Sequence, residues 1–357
     1  MKKTGRFIMV FPALVLLLVL TLNHPSAGKT LKVCKIGCEF SSIGEALNNT
    51  DSGDTIRVQN GNYSENLRID RDLTIIGTNS SWVRISPSNS GTPALVIGPS
   101  SGSVRITNVT LTGDGSDSED GLVVTGDGRI TLKNSRIVNF QNGLVARNSA
   151  YIKLRETEVG SSGTGVGGFD NSEVILSGSE ITSAKRGIIA RDSSTVTVVD
   201  TEINNCGRNS VLAEGTAKLN VLSSSVVNNR APGVVLRGFS RMDMEDTQVS
   251  SNEGGGILLT DSAIANLTDN RITYNKEKNV SVISKRCGFS GPSNLFFGEV
   301  NGVNNAIKPV NSSTVCPAKF GQITSGKGGS YSFPFKPSTY AFIGLIGIAT
   351  AYFLIAR

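Results

Sequence analysis

Three glutamates, Glu158, Glu180 and Glu202, recur every 22 residues, with Arg136 one step before them. If successive units stack as neighbouring strands, their carboxylates lie about 4.8 Å apart. They then repel by about 0.9 kcal/mol per neighbouring pair even at the dielectric constant of water. A hard cation with oxygen ligands, calcium being the candidate, would relieve that repulsion; so would the nearby Lys185 and Arg186. A second spaced set runs Thr125, Arg147, Phe169, Arg191, Glu214, Arg237, Thr260. Arginines interleaved with an aromatic ring suit an acidic sugar chain, so Arg147, Phe169, Arg191 and Arg237 are candidate ligand-binding residues. Glu214 stands one step from both Arg191 and Arg237 and largely neutralises them as an exposed ladder. Arg147 and Phe169 are then left for a ligand. The bend from Thr112 to Asp120 carries Asp114, Asp117, Glu119 and Asp120, without the spacing of an EF-hand loop. None of these residues is assigned a catalytic role.

The elements that must position them follow from a repeat. Units begin at residues 121, 143, 165, 187, 210, 233, 256 and 279, in steps of 22 and then 23. Self-similarity at this period means a solenoid. Within each unit apolar residues alternate: Ile130 and Leu132, Ile152 and Leu154, Val174 and Leu176, Val196 and Val198, Leu219 and Val221. A period of two is that of strands with one inward face. Units this short have no room for a helix beside three strands and their Gly, Asn, Asp and Ser bends. The fold expected is an all-β, single-stranded parallel β-helix of about ten coils. Ser135, Thr157, Ser179, Thr201, Ser224, Thr247 and Asn270 fall in one column, and Asn229, Asn252 and Asn275 in another. Small hydroxyls and amides at a corner can satisfy backbone groups one coil away.

Composition narrows the function classes. The net charge of +6 includes Lys2, Lys3 and Arg6, which leaves +3 from Gly28 onward. No concentrated basic footprint of a nucleic-acid partner is present. Residues 1–27 have the layout of a signal peptide: a basic start, the apolar run from Phe7 to Leu22, and Pro25-Ser26-Ala27. The single histidine, His24, falls inside it, so the mature chain has none. Export agrees with five cysteines. Cys34 is expected to pair with Cys38 across a tight turn and Cys287 with Cys316, leaving Cys206 as a small buried hydrophobe. Residues 319–339 are a Gly-, Ser- and Pro-rich linker. Residues 340–357 form an uncharged run closed by Arg357, at the short end for a transmembrane helix. That span, or a sorting tail, would anchor the protein at the cell surface with the β-helix, residues 28–318, outside.

Ser42-Ile43-Gly44-Glu45 has capping-box spacing and opens a short helix whose Ile43, Ala46 and Leu47 share one face. Laid across the open end of the solenoid, it would protect the first strands. Here a family resemblance becomes specific. Phe40 to Leu47, Gly53 to Val58, Gly61-Asn62-Tyr63-Ser64-Glu65-Asn66 and Leu73 to Gly77 resemble the opening of pectin-lyase-like right-handed β-helix proteins. They look most like secreted archaeal and bacterial surface proteins related to the NosD type. The resemblance implies right-handed winding and leaves the activity open, because the fold hosts many functions.

The enzymes of that fold have motifs that this chain lacks. The absence of a mature histidine excludes the Gly-His-Gly of polygalacturonase-type hydrolases and the Asp-Pro-His-Asp of epimerases. The Gln-Asp and Gly-Arg-Pro-Trp motifs of pectin methylesterases are missing too. Lyases with an arginine base stay open, with Arg155 or Arg147 in that role. The expected function is therefore a non-enzymatic cell-surface protein binding a polysaccharide or another envelope component. The alternatives are a calcium-dependent polysaccharide lyase and a NosD-like accessory protein for metalloenzyme assembly. The last would have to use Met242, Met244 and scattered cysteines as soft ligands.

Overall fold

The computed structural model describes residues 28–99, 101–115, 119–160, 163–283, 299–303 and 305–308. Each repeat unit contributes three short parallel strands, such as Arg129–Lys133, Arg136–Val138 and Asn142–Ala146. They join three long sheets of 12, 11 and 10 strands, named sheets A, B and C in the order the chain visits them. Ten complete turns run from Asp54 to Ile283. Strand Thr30–Val33 precedes them, and Glu299–Val303 and Ala306–Lys308 follow, so the solenoid has about eleven turns rather than ten.

The alternation in the sequence is the alternation of faces. Ile130, Ile152, Val174, Val196 and Leu219 pair turn upon turn in sheet A and are buried, as are Leu132, Leu154, Leu176, Val198 and Val221. Ile137, Val159, Ile181, Ile203 and Val226 line the inside of sheet B in the same way. The core is one continuous apolar column, and every turn depends on the two beside it. Met242 and Met244 belong to this column, each 1% exposed. They fill the core and are no surface ligand pair for a soft metal.

The corners are held by the two ladders. In the hydroxyl ladder each backbone N–H donates to the side-chain oxygen of the next turn: Thr157 to Ser179 Oγ at 3.2 Å, Thr201 to Ser224 Oγ at 3.2 Å, Thr247 to Asn270 Oδ1 at 2.9 Å. In the amide ladder the Cys206 N–H donates to Asn229 Oδ1, and Asn229 and Asn252 each donate to the next Asn. Between sheets A and B a third column adopts the left-handed conformation: Asn134, Glu156, Gly178, Asp200, Ser223, Asp246 and Asp269 all have positive φ. Asp, Asn and Ser tolerate it through local side-chain bonding, and Gly178 meets it with no Cβ at all.

At the N-terminal end, helix Ile43–Asn48 buries Ile43, Ala46 and Leu47. It packs against strands Thr30–Val33, Asp54–Val58 and Leu67–Ile69. Ser42 Oγ accepts the N–H of Glu45 at 3.1 Å. The other half of the cap comes from Glu65, whose carboxylate accepts the N–H groups of Ile43 at 2.9 Å and Gly44 at 2.6 Å. Tyr63 beside it is fully buried and donates its hydroxyl to the carbonyl of Gln59 at 2.9 Å. The Gly61-to-Glu65 stretch thus fastens the end of the solenoid. Cys34 and Cys38 form a disulfide across the preceding turn, and Cys206 is a buried free thiol. Cys287, Cys316 and the segments 1–27, 319–339 and 340–357 lie outside the described residues. Among the described residues no helix is long and apolar enough to cross a membrane.

Candidate functional site

The strands of sheet A present alternate residues outward, and register decides which of them meet. Arg105, Thr131, Lys153 and Ile175 pair in succession. Thr107, Lys133, Arg155 and Ser177 do the same beside them, and on the other flank so do Arg129, Tyr151 and Glu173. Three adjacent turns therefore bring Arg105, Arg129, Lys133, Lys153 and Arg155 onto one face around Tyr151. Arg57 and Lys32, paired with each other, lie further toward the N-terminal end. The Arg129 guanidinium stands 5.3 Å from the centre of the Tyr151 ring, within cation–π range. Acids on the patch are few: Glu156 meets Lys133 at 3.5 Å, and Glu173 sits at its edge.

Lys153 is only 7% exposed although it points away from the core. Burial, and then the charge of Arg155, pull its pKa below the ordinary lysine value. Burial pushes the Tyr151 hydroxyl up, with Glu173 adding to it. Burial likewise raises the carboxyl of Glu173, against the opposing pull of Arg129. Burial thus displaces the protonation equilibria of three neighbouring side chains on one sheet face. Beyond Glu173 the face turns apolar, with Ile175, Val199 and Leu222 each nearly buried.

The arginine column expected to hold a ligand lies elsewhere, at the bend from sheet C into sheet A. Glu214 is bound on both sides, by Arg191 Nε at 2.8 Å and Arg237 Nη1 at 3.3 Å. The neutralisation expected from their spacing is present. Of the pair expected to stay available, Arg147 lies over the Phe169 ring at 4.8 Å. A planar cation one turn from an aromatic face stacks on it.

Glu158, Glu180 and Glu202 do pair in register on sheet B. Their counter-groups are protein side chains. Arg136 binds Glu158 with Nε and Nη2 at 2.8 and 2.9 Å. The Asn204 amide donates to Glu180 Oε1 at 3.1 Å and to Glu202 Oε1 at 2.7 Å. Among the described residues no group of three or more His, Cys, Asp or Glu is placed to hold a metal ion. A polar groove of about 560 Å³ runs along the bend between sheets A and B, lined by residues that include Asp200, Glu202, Asp246, Asp269 and Arg271.

The sequence reading missed the sheet A patch. Its residues alternate with core positions and look, one strand at a time, like an ordinary solvated face. The signal available was the column Arg129, Tyr151 beside the column Lys133, Arg155, visible once the units are aligned.

Comparison with known proteins agrees with the architecture. Residues 93–242 match the family described as the right handed beta helix region. No curated protein matches the sequence. Among solved structures, the chain is similar to the A-module of the Azotobacter vinelandii mannuronan C-5 epimerase AlgE6, with a TM-score of 0.57 and 15% identity over 79% of this chain and 92% of that one. It is similar also to the A-module of AlgE4 from the same organism, at 0.52 and 14% over 78% and 84%. A third is the catalytic unit of the GH87 α-1,3-glucanase of Streptomyces thermodiastaticus strain HF3-3, at 0.50 and 12% over 82% and 71%. At such identities the likeness is one of fold. Three parallel sheets wound in about eleven turns, with the family match over the central ones, give this chain the right-handed parallel β-helix fold.

Proposed function

We propose that the protein binds an acidic polysaccharide along the outer face of sheet A, in the manner of a surface adhesin rather than an enzyme. The observation that carries this reading is the cluster of Arg105, Arg129, Lys133, Lys153 and Arg155 around Tyr151 on three adjacent turns. Turns are spaced about 4.8 Å apart. An extended polyanion lying along the solenoid axis therefore meets a cationic side chain at each step, and Tyr151 offers a ring against a sugar face. Arginine forks suit carboxylates, and a strip of one sign raises the local concentration of an oppositely charged polymer. Export and anchoring through residues 340–357 would display this face outside the cell.

A second reading rests on Lys153. A lysine with a lowered pKa beside Tyr151 and Arg155 is a candidate proton acceptor, as a polysaccharide lyase would need. One experiment separates the two. The full chain is applied to an array of uronate-containing and neutral glycans, and the same mixtures are followed for the ultraviolet absorbance of unsaturated lyase products. Binding to uronates without absorbance supports the adhesin; absorbance that grows with time, with or without calcium, supports the lyase. Equal binding to neutral and acidic glycans would contradict both.

A further inference from the structure

Asn-x-Ser/Thr triplets occur seven times in the chain, and in an exported protein each is a possible acceptor of an N-linked glycan. An acceptor in a folded chain has to offer a free amide nitrogen and, two residues on, a reachable hydroxyl. The fold sorts the triplets by that requirement. Asn279 is 2% exposed and its Oδ1 takes the Asn275 amide at 2.8 Å. Asn266 donates its Nδ2 to Asp243 Oδ1 at 2.6 Å. Asn108 donates its amide to the Gly77 carbonyl at 3.2 Å, and the hydroxyl of its Thr110 is held by the Ser80 carbonyl at 2.7 Å. Thr50, which completes the Asn48 triplet, is buried and bonded to the Leu47 carbonyl at 2.8 Å. Asn62 and Ser64 are exposed, but strand Gly61–Ser64 is held extended by its pairing with Val83–Ser86, which keeps the two residues about 6.6 Å apart. The Asn311 triplet lies outside the described residues.

Asn79 meets the requirement. It stands with Ser80, Ser81 and Trp82 on the bend between strands Leu73–Gly77 and Val83–Ser86, and both Asn79 and Ser81 are exposed. Asn79 Oδ1 accepts the Ser81 N–H at 2.8 Å, which draws the serine back toward the amide. The Asn79 carbonyl accepts the N–H groups of Trp82 at 3.1 Å and Val83 at 2.9 Å, so the bend is a tight one. Among the described residues neither Asn79 Nδ2 nor the Ser81 hydroxyl has a hydrogen-bond partner. Trp82, the only tryptophan of the chain, lies 63% exposed on the same bend. We propose that Asn79 is a site of N-linked glycosylation, with a lipid-linked oligosaccharyl diphosphate as the sugar donor. Asn79 Nδ2 bonds to C1 of the first sugar and the bond from C1 to the diphosphate oxygen breaks. The lipid diphosphate leaves with that electron pair, and the amide gives up one proton to solvent. The first sugars then cover the Trp82 ring, on a bend that precedes the turns carrying the sheet A patch. The inference rests on the export proposed above.

The test has two arms. In the first, the full chain is made in a host without N-glycosylation, purified folded, and given a purified oligosaccharyltransferase with its lipid-linked donor. Peptide mapping by mass spectrometry then reads every triplet. Wild type and Asn62→Gln should gain a glycan on Asn79, with a shift in the fluorescence of Trp82. Asn79→Gln and Ser81→Ala should lose both, and their melting temperatures should match wild type because the two side chains are exposed. A bare Asn79 in folded wild type, a glycan that survives Ser81→Ala, or equal modification of Asn48, Asn62 and Asn108 would overturn the proposal. In the second arm the full chain is expressed in a host that carries the pathway, and the cells are fractionated. An exported chain with Asn79 occupied supports both the site and the export. A chain left in the cytoplasm with every triplet bare, when Asn79 is modified in the first arm, contradicts the export and leaves the acceptor standing.

Discussion

Asn252 holds four groups with one amide. Its Oδ1 accepts the N–H and the side-chain amide of Asn229 at 3.2 and 2.8 Å, and its Nδ2 donates to the Val226 carbonyl at 2.9 Å and to Asn275 Oδ1 at 2.9 Å. All of this is buried. Asn252→Ala strands several buried polar groups at a cost of about 1–3 kcal/mol each, so urea unfolding should show a loss on the order of 3 kcal/mol or more. Cys206, at the head of the same ladder, has its thiol pushed up to about 11 by burial. The sign follows from which state ionises first. Below about pH 8.5 the thiol is neutral folded and unfolded, and it contributes nothing. As pH rises further the unfolded chain loses its proton while the folded one keeps it. Stability should then fall by up to about 1.4 kcal/mol per pH unit toward pH 11, a slope that a Cys206→Ala variant lacks. Alkylation followed by peptide mapping should leave Cys206 unmodified in native protein at pH 8. The ladder was legible in the sequence because Asn229, Asn252 and Asn275 recur at a fixed interval. The Glu65 cap was not, since nothing local links it to a helix some twenty residues earlier.

Among the elements, sheet A shows what periodicity can and cannot tell. Strict alternation identified its strands and its core residues, because burial of one face imposes a period of two. Val198 is a fair probe of that register: it is fully buried between Leu176 and Val221. Val198→Asp places an unpaired carboxylate in the apolar column and should abolish cooperative melting over several turns, as read by circular dichroism. Unchanged melting would mean that the inward face is wrongly assigned. The outward face was less legible, because charge there is tolerated at nearly every position and carries no period. Its content appears only when pairing through Thr131 places Arg105, from an irregular early turn, in one column with Lys153. The glutamate column was foreseen as a line, but its counter-groups were not. Asn204 comes from the far end of the same short strand as Glu202, and its reach to two carboxylates depends on geometry.

At the scale of the molecule, sheet A is asymmetric: Lys32, Arg57, Arg105, Arg129, Lys133, Lys153 and Arg155 face outward in the first half against Glu173, whereas in the second half Lys218 and Arg241 are balanced by Asp243 and Glu245. The net charge of the whole chain hides this, since acids elsewhere balance the patch. A polyanion should therefore dock with polarity on the early turns, and its affinity should weaken steeply with salt, because the contacts are largely exposed charges. Titration of a polyuronate into the full chain, followed by calorimetry at low and moderate salt, tests this directly. Three proteins suffice: wild type, Arg105→Glu/Arg129→Glu/Arg155→Glu on sheet A, and Arg191→Glu/Arg237→Glu at the corner. Wild type and the corner variant should bind alike, while the sheet A variant should lose at least tenfold in affinity with its melting temperature little changed. Undiminished binding by the sheet A variant, or loss confined to the corner variant, would contradict the account.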